Sequence, residues 1–266
     1  NGTRLFEVSQ GGGLTLTGLK LSGGSADGGG AIYSLSANVT LDNCIVEGNI
    51  ATDGNGGGAI WADGGNVTII GGEFFANDAG RYGGAVHVAS TLLVVRGGSR
   101  FEGNTAVGGG AIYCGLREGA SDEVPAVCSI TDAEFLSNSA AREDQSSVPD
   151  FSNIDGGGAV MLFLLPTAEI VNSTFSGNYT KLSGGALHGG RDTNVLVHGC
   201  NFVNNTSGKF GGAISASSMT LGEGTQLTNN KAEEDGGAVS ATTAVTTVVL
   251  AGVLITMIYI TMSDQS

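Results

Sequence analysis

Three histidines, four cysteines and 25 acidic residues are the groups with which this 266-residue chain could do chemistry, and their spacing brings few of them together. The densest grouping is His188 with Arg191 and Asp192. An imidazole to move a proton, a guanidinium to hold an anion and a carboxylate are the parts of a general acid–base site. Five aspartates, Asp27, Asp53, Asp78, Asp155 and Asp235, precede Gly-Gly pairs. They could line one edge as oxygen ligands for calcium, although aspartate before glycine is also what a turn requires. No Asp-Asp or Asp-x-Asp pair reinforces them, and calcium is the one cofactor the sequence suggests. His87 follows a Gly-Gly-Ala unit as His188 does, and both read as exposed or half-buried strand residues. A Gly-x-Ser-x-Gly elbow, a phosphate loop and a Cys-x-x-Cys zinc pattern are all missing.

Any such groups must be held by elements, and the composition says which kind. Glycine reaches 47 residues while proline is only 3, so the chain is neither collagen-like nor a proline-rich linker. Apolar residues make up 41% and charged residues 14%, a balance that favours a packed core over disorder. The net charge of −14 and the lack of any Lys/Arg cluster exclude a phosphate backbone as partner, so no nucleic acid is expected. The first residues hold no basic segment followed by an apolar core, so a signal peptide is not expected within this sequence.

The organisation is a repeat. Gly-Gly-Ala-aliphatic units place alanine at Ala31, Ala59, Ala85, Ala111, Ala159, Ala186, Ala213 and Ala238, in steps of 28, 26, 26, 48, 27, 27 and 25. A second unit follows 14 to 16 residues after most of these alanines: Phe74…Asn77, Phe101…Asn104, Phe135…Asn138, Phe175…Asn178 and Phe202…Asn205, with weaker copies at Val46…Asn49 and Leu227…Asn230. Alternating runs such as Val39-Thr40-Leu41 and Val195-Leu196-Val197 read as short strands between them. We expect about nine rungs of about 26 residues stacked as an all-β, right-handed, single-stranded parallel β-helix. Like residues would form interior columns, with Gly-Gly at a bend where rungs touch and Asn as an inward ladder. A propeller blade needs roughly 40 residues, and the Leu-x-x-Leu-x-Leu of leucine-rich repeats is missing.

The paired units, Gly-Gly-Ala-Ile and Phe-x-x-Asn, resemble the repeats of the polymorphic outer membrane proteins of chlamydiae and of related right-handed β-helices in the pectin-lyase-like group. The resemblance runs from residue 14 to about 240. It implies a surface-exposed passenger region used in adhesion to host cells. That family also carries a C-terminal autotransporter barrel, whereas this chain closes on an uncharged apolar run. Many pectin-lyase-like proteins act on acidic polysaccharides, so the resemblance also implies an alternative, a lyase, hydrolase or epimerase using His188 and Arg191.

The long step of 48 hides two insertions, at 115–127 and 141–154, and loops that leave a solenoid often carry its binding surface. Cys114 and Cys128 flank the first, and a disulfide there would stabilise by roughly 3 kcal/mol. Cys44 and Cys200 occupy equivalent points five rungs apart, about 24 Å at the spacing of paired strands, and are expected as buried free thiols. Asn-x-Ser/Thr triplets, acceptors for glycans in a secreted eukaryotic protein, begin at Asn1, Asn38, Asn66, Asn172, Asn178, Asn204 and Asn205. The solenoid is assigned to 1–244. Residues 245–262 are either a membrane-spanning anchor or a degenerate final rung. The favoured function is non-catalytic adhesion or recognition, of a cell-surface or glycan ligand, by a protein at the cell surface or secreted. A purely structural wall or scaffold element is the third reading.

Overall fold

The computed structural model describes residues 2–52, 56–116, 127–141, 156–165 and 167–248. All regular elements among them are β-strands, and every pairing is parallel. Each turn of chain lays down the same sequence of strands, for example Ile32–Leu35, Asn38–Asp42, Ile45–Glu47 and Ile50–Ala51. The first two join a 15-stranded sheet, and the third and fourth join two sheets of 8 strands each. The result is a parallel β-solenoid of eight full turns, with Val239–Val248 adding a ninth layer to the first sheet. The repeat spacing read from the sequence is thus the length of one coil.

The Gly-Gly-Ala unit shows why the coil closes as it does. The first glycine of each pair is left-handed, with φ between 58° at Gly29 and 72° at Gly184, a conformation that costs an ordinary residue about 1–2 kcal/mol. The second glycine faces the next turn. A Cβ on Gly110 would collide with the carbonyl oxygen of Gly158 and lie 2.6 Å from the Ser139 nitrogen, and Gly58, Gly84 and Gly185 are hemmed in the same way. Alanine then sits in an inner corner with no exposure from Ala31 through Ala213 and 5% at Ala238. Its amide donates to the alanine carbonyl one turn on, and Ala111 to Ala159 at 2.8 Å closes the long step like any other. Both insertions therefore leave the ladder of turns unbroken.

The core is a set of columns. Phe74, Phe101, Phe135, Phe175 and Phe202 are register partners and fully buried. Their ring centroids are 4.7, 4.9, 4.7 and 4.7 Å apart with planes within 9° of parallel. The strand spacing exceeds the roughly 3.5 Å contact distance of carbon atoms, so near-parallel rings must slip sideways into the offset stack that their quadrupoles prefer. Across the interior, neighbouring columns trade volume: Leu162 accompanies Ala168, while Ala216 accompanies Met219.

Asparagine forms a second interior column. Asn77 Nδ2 donates to Asn104 Oδ1 (3.0 Å) and to the Val46 carbonyl (2.9 Å), and the pattern repeats from Asn49 through Asn230. Each Oδ1 also accepts the backbone N–H of the preceding asparagine, as Asn138 N–H does to Asn178 Oδ1. The amide thus satisfies the backbone at a bend that no water reaches.

The last described strand runs across position 244. Val245 is in register with Met219, and Val248 with Leu221. The first four residues of the apolar segment 245–262 therefore belong to the ladder, and 249–262 lie outside the described residues. No described helix is long and apolar enough to cross a membrane.

Candidate functional site

Alternation along each strand divides the chain into inward columns, fixed by stacking, and outward columns, which meet solvent except where bulky neighbours bury them, as at Trp61, Tyr113 and Met161. His188 is outward, in a strand that runs from Leu187 to His198 and also holds Arg191 and Asp192. The structure does not assemble these three into a site. Asp192 is an exposed corner residue with φ of 53°, and Arg191 is exposed. His188 itself is half-buried, and its Nδ1 is buried without a hydrogen-bond partner. Burial lowers its pKa to about 4, so the ring is neutral at pH 7. A general base is better placed near the working pH with a partner that orients it.

The aspartates are also separate. Asp27 is exposed, 3.7 Å from Arg4. Asp78 lies in a strand of the third sheet, where its Oδ1 accepts a 2.6 Å hydrogen bond from Thr105. Asp235 is exposed at the last Gly-Gly bend and gives its carbonyl to the amide of Gly211. Asp53 and Asp155 fall outside the described residues. Among the described residues no group of three His, Cys, Asp or Glu side chains could hold a metal ion.

All four cysteines are buried free thiols. Cys114 and Cys128, expected as a disulfide, lie side by side inside one turn, in register with Val88 and Leu93 of the turn before. Burial pushes the Cys114 thiol pKa well up, and the adjacent Cys128 raises it further. Cys44 and Cys200 stand in one column with Ser99 and Ser173 at a corner of the coil. There the single S–H of Cys200 is shared between the carbonyls of His198 and Ile170, and its Sγ accepts the amide N–H of Ser173. Burial raises the Cys200 pKa to about 11, so this thiol stays protonated and unreactive.

One feature escaped the sequence reading. The residue after each Gly-Gly-Ala-aliphatic unit points outward, and Tyr33, Trp61, His87 and Tyr113 form a stack on the outside of the coil. Tyr33 and Trp61 are 4.5 Å apart and nearly parallel, and His87 meets Tyr113 edge-on at 4.7 Å. Tyr82, from the bend that crosses this face, stacks on Tyr113 at 4.7 Å. Guanidinium groups cover the stack: Arg4 over Tyr33 at 4.5 Å and Arg81 over Tyr82 at 4.9 Å. A run of aromatics at one fixed place after alanine was the available signal.

The comparison that bears on function concerns the coil. Residues 98–115 and 199–217 match the Chlamydia polymorphic membrane protein repeat. The coil is thus a parallel β-solenoid that carries two stretches similar to the polymorphic membrane protein repeat. Each matched stretch of this polymorphic membrane protein repeat runs from one of the buried phenylalanines, Phe101 or Phe202, through its ladder asparagine to the next Gly-Gly-Ala-Ile. The matched stretches therefore hold the residues that pack and bend the coil, and the family whose repeat they resemble is one of membrane proteins. No curated protein and no solved structure matches the chain.

Proposed function

We propose that this chain is a non-catalytic recognition solenoid, displayed at a cell surface or secreted, that adheres to a cell-surface or glycan ligand. The observation that carries the reading is the match of two stretches to the repeat of a surface protein family, each on the residues that build the rod. The outward columns add support. The column Lys20, Ile45, Glu73, Arg100, Glu134, Thr174, Asn201 and Gln226 changes residue type at every step, unlike the phenylalanine and asparagine columns of the interior, so each turn presents its own side chain in a fixed frame. The two insertions fall between Leu116 and Val127 and between Ala141 and Gly156, on turns the ladder holds in register. A rigid scaffold with variable outward positions is how solenoids build extended binding faces.

The test is a pair of assays on the purified full chain: binding to cells and to a glycan array, beside turnover of alginate- and pectin-type polymers. Saturable binding without product is the expected result. Turnover that disappears in His188→Ala or Arg191→Ala would overturn the proposal in favour of an enzyme of acidic polysaccharides.

A further inference from the structure

Seven Asn-x-Ser/Thr triplets look alike in sequence; Asn1 lies outside the described residues, and the coil separates the other six by what each side-chain amide already does. The geometry points to Asn38, Asn66, Asn172 and Asn204 as the N-glycan acceptors of this chain, and to Asn178 and Asn205 as positions where a glycan and the fold exclude one another. This rests on the surface or secreted reading above, since only an exported chain meets the transferase. In the transfer, a polyprenyl-pyrophosphate-linked oligosaccharide is the donor. The bond from sugar C1 to the pyrophosphate oxygen breaks, a C1–Nδ2 bond forms, Nδ2 gives up one proton, and polyprenyl pyrophosphate leaves. The product keeps Oδ1 as an acceptor and has one N–H where there were two.

All four proposed acceptors are exposed. Asn38 and Thr40, and Asn66 and Thr68, are two apart in strands and so share the outward face. Asn38 Oδ1 accepts the Asn66 amide at 3.1 Å, and that bond survives attachment because it uses the oxygen. Asn172 and Asn204 stand at left-handed corners, φ 48° and 56°, where the side chain leaves the coil. The ladder pair is the opposite case. Asn178 Nδ2 spends both hydrogens, on the Phe135 carbonyl (3.0 Å) and on Asn205 Oδ1 (2.9 Å). Asn205 Nδ2 spends both on the Phe175 carbonyl and Asn230 Oδ1, each at 2.9 Å. A sugar there would remove one of these bonds and would have to enter the interior at asparagines that are at most 1% exposed. Ser207 completes the Asn205 triplet, yet its hydroxyl is buried without a partner in a column otherwise built of Ala51, Ala79, Ala106, Ala140 and Thr180.

The experiment is secretion of the full chain from a glycosylating eukaryotic host, followed by peptide-N-glycosidase in heavy-oxygen water and peptide mass spectrometry. Labelled aspartate at 38, 66, 172 and 204, with 178 and 205 unlabelled in the soluble folded fraction, is expected. A folded fraction labelled at 178 or 205, or unlabelled at all four exposed sites, overturns the assignment. A second arm uses Ser207→Ala, which abolishes the Asn205 triplet and spares that of Asn204. Its gain in soluble yield is expected to be at least twofold larger in the glycosylating host than in a host without the transferase. Equal gains would overturn the exclusion. Cell binding is measured on unglycosylated protein, so failure of the adhesion reading and failure of this one register separately.

Discussion

Replacing Asn138 tests the claim that the amide column, and not the apolar core alone, holds the turns in register. Its side chain donates to the Phe101 carbonyl (3.0 Å) and to Asn178 Oδ1 (3.1 Å), and it accepts both the backbone N–H and a side-chain N–H of Asn104 at 3.0 Å. Asn138→Ala strands three groups in a fully buried place: the Asn104 amide, one Asn104 Nδ2 hydrogen and the Phe101 carbonyl. Asn178 Oδ1 keeps the Asn138 backbone N–H. An unsatisfied buried donor or acceptor costs about 1–3 kcal/mol. A water admitted to the small cavity would recover part of this, so the expected loss is about 3–4 kcal/mol in urea unfolding followed by circular dichroism. Asn138→Asp keeps the shape and sharpens the test. It sets a carboxylate oxygen against the Phe101 carbonyl and Asn178 Oδ1, which drives the carboxyl pKa up in the folded state. The native chain then holds more protons than the unfolded one between the ordinary carboxyl pKa of about 3.9 and the raised value. Stability of this variant must therefore rise as pH falls from 7 towards 4. A loss under 1 kcal/mol at pH 7, or an acid response no different from that of the parent chain, would refute the reasoning.

The other predictions concern glycine, serine, histidine and cysteine. Gly110→Ala should cost more than about 3 kcal/mol or abolish soluble expression, because backbone of the next turn occupies the Cβ position. Gly103→Ala, left-handed at φ 61° but open to solvent, should cost only about 1–2 kcal/mol by the same unfolding assay. Ser207→Ala should stabilise by about 1 kcal/mol, read as a rise in the urea midpoint, since it removes a buried hydroxyl with no partner. His188 has its pKa lowered to about 4 by burial, so the unfolded chain binds the extra proton between pH 6.5 and 4. Its contribution is thus complete above pH 6.5 and is lost as pH falls towards 4, and His188→Phe should flatten that part of a pH–melting curve. Native protein should resist iodoacetamide at pH 8, because all four thiols are buried, and alkylation in denaturant without reductant should then label all four; protection of Cys114 and Cys128 alone would instead reveal a disulfide between them.

The fold was legible because its causes recur. A left-handed bend, a close backbone approach and a corner too small for more than a methyl group each leave one permitted residue type, and Gly-Gly-Ala records all three at every turn. Phe-x-x-Asn records the ring stack and the amide ladder in the same way. The step of 48 could be read as one turn with extra chain because it holds one Phe-x-x-Asn unit, Phe135 and Asn138, with its usual internal spacing. What sequence could not give is the outward side. His188, Arg191 and Asp192 are close in number, but strand alternation and the corner at Asp192 direct them apart. The aspartates precede glycine at different offsets, so Asp78 joins a strand while Asp27 and Asp235 sit at bends. The aromatic stack of Tyr33, Trp61, His87 and Tyr113 was overlooked because it has no fixed residue type, only a fixed position.

That asymmetry bears on where recognition can evolve in such a coil. An inward residue is constrained by the turns above and below it, so a change at Phe135 must be accommodated by Phe101 and Phe175 together. An outward residue such as Glu134 meets Arg100 and solvent, and the pair, 3.6 Å apart and substantially exposed, contributes little to stability. Substitution there costs the fold almost nothing while changing the charge presented at a position the backbone ladder holds fixed. Insertion behaves likewise, since the Ala111–Ala159 hydrogen bond is as short as its neighbours despite 48 residues between the partners. A coil whose interior is this uniform and whose exterior is this permissive separates stability from specificity. If binding is found, its determinants should therefore map to outward columns and insertions, and exchanging outward residues between two turns should alter ligand preference without moving the unfolding midpoint.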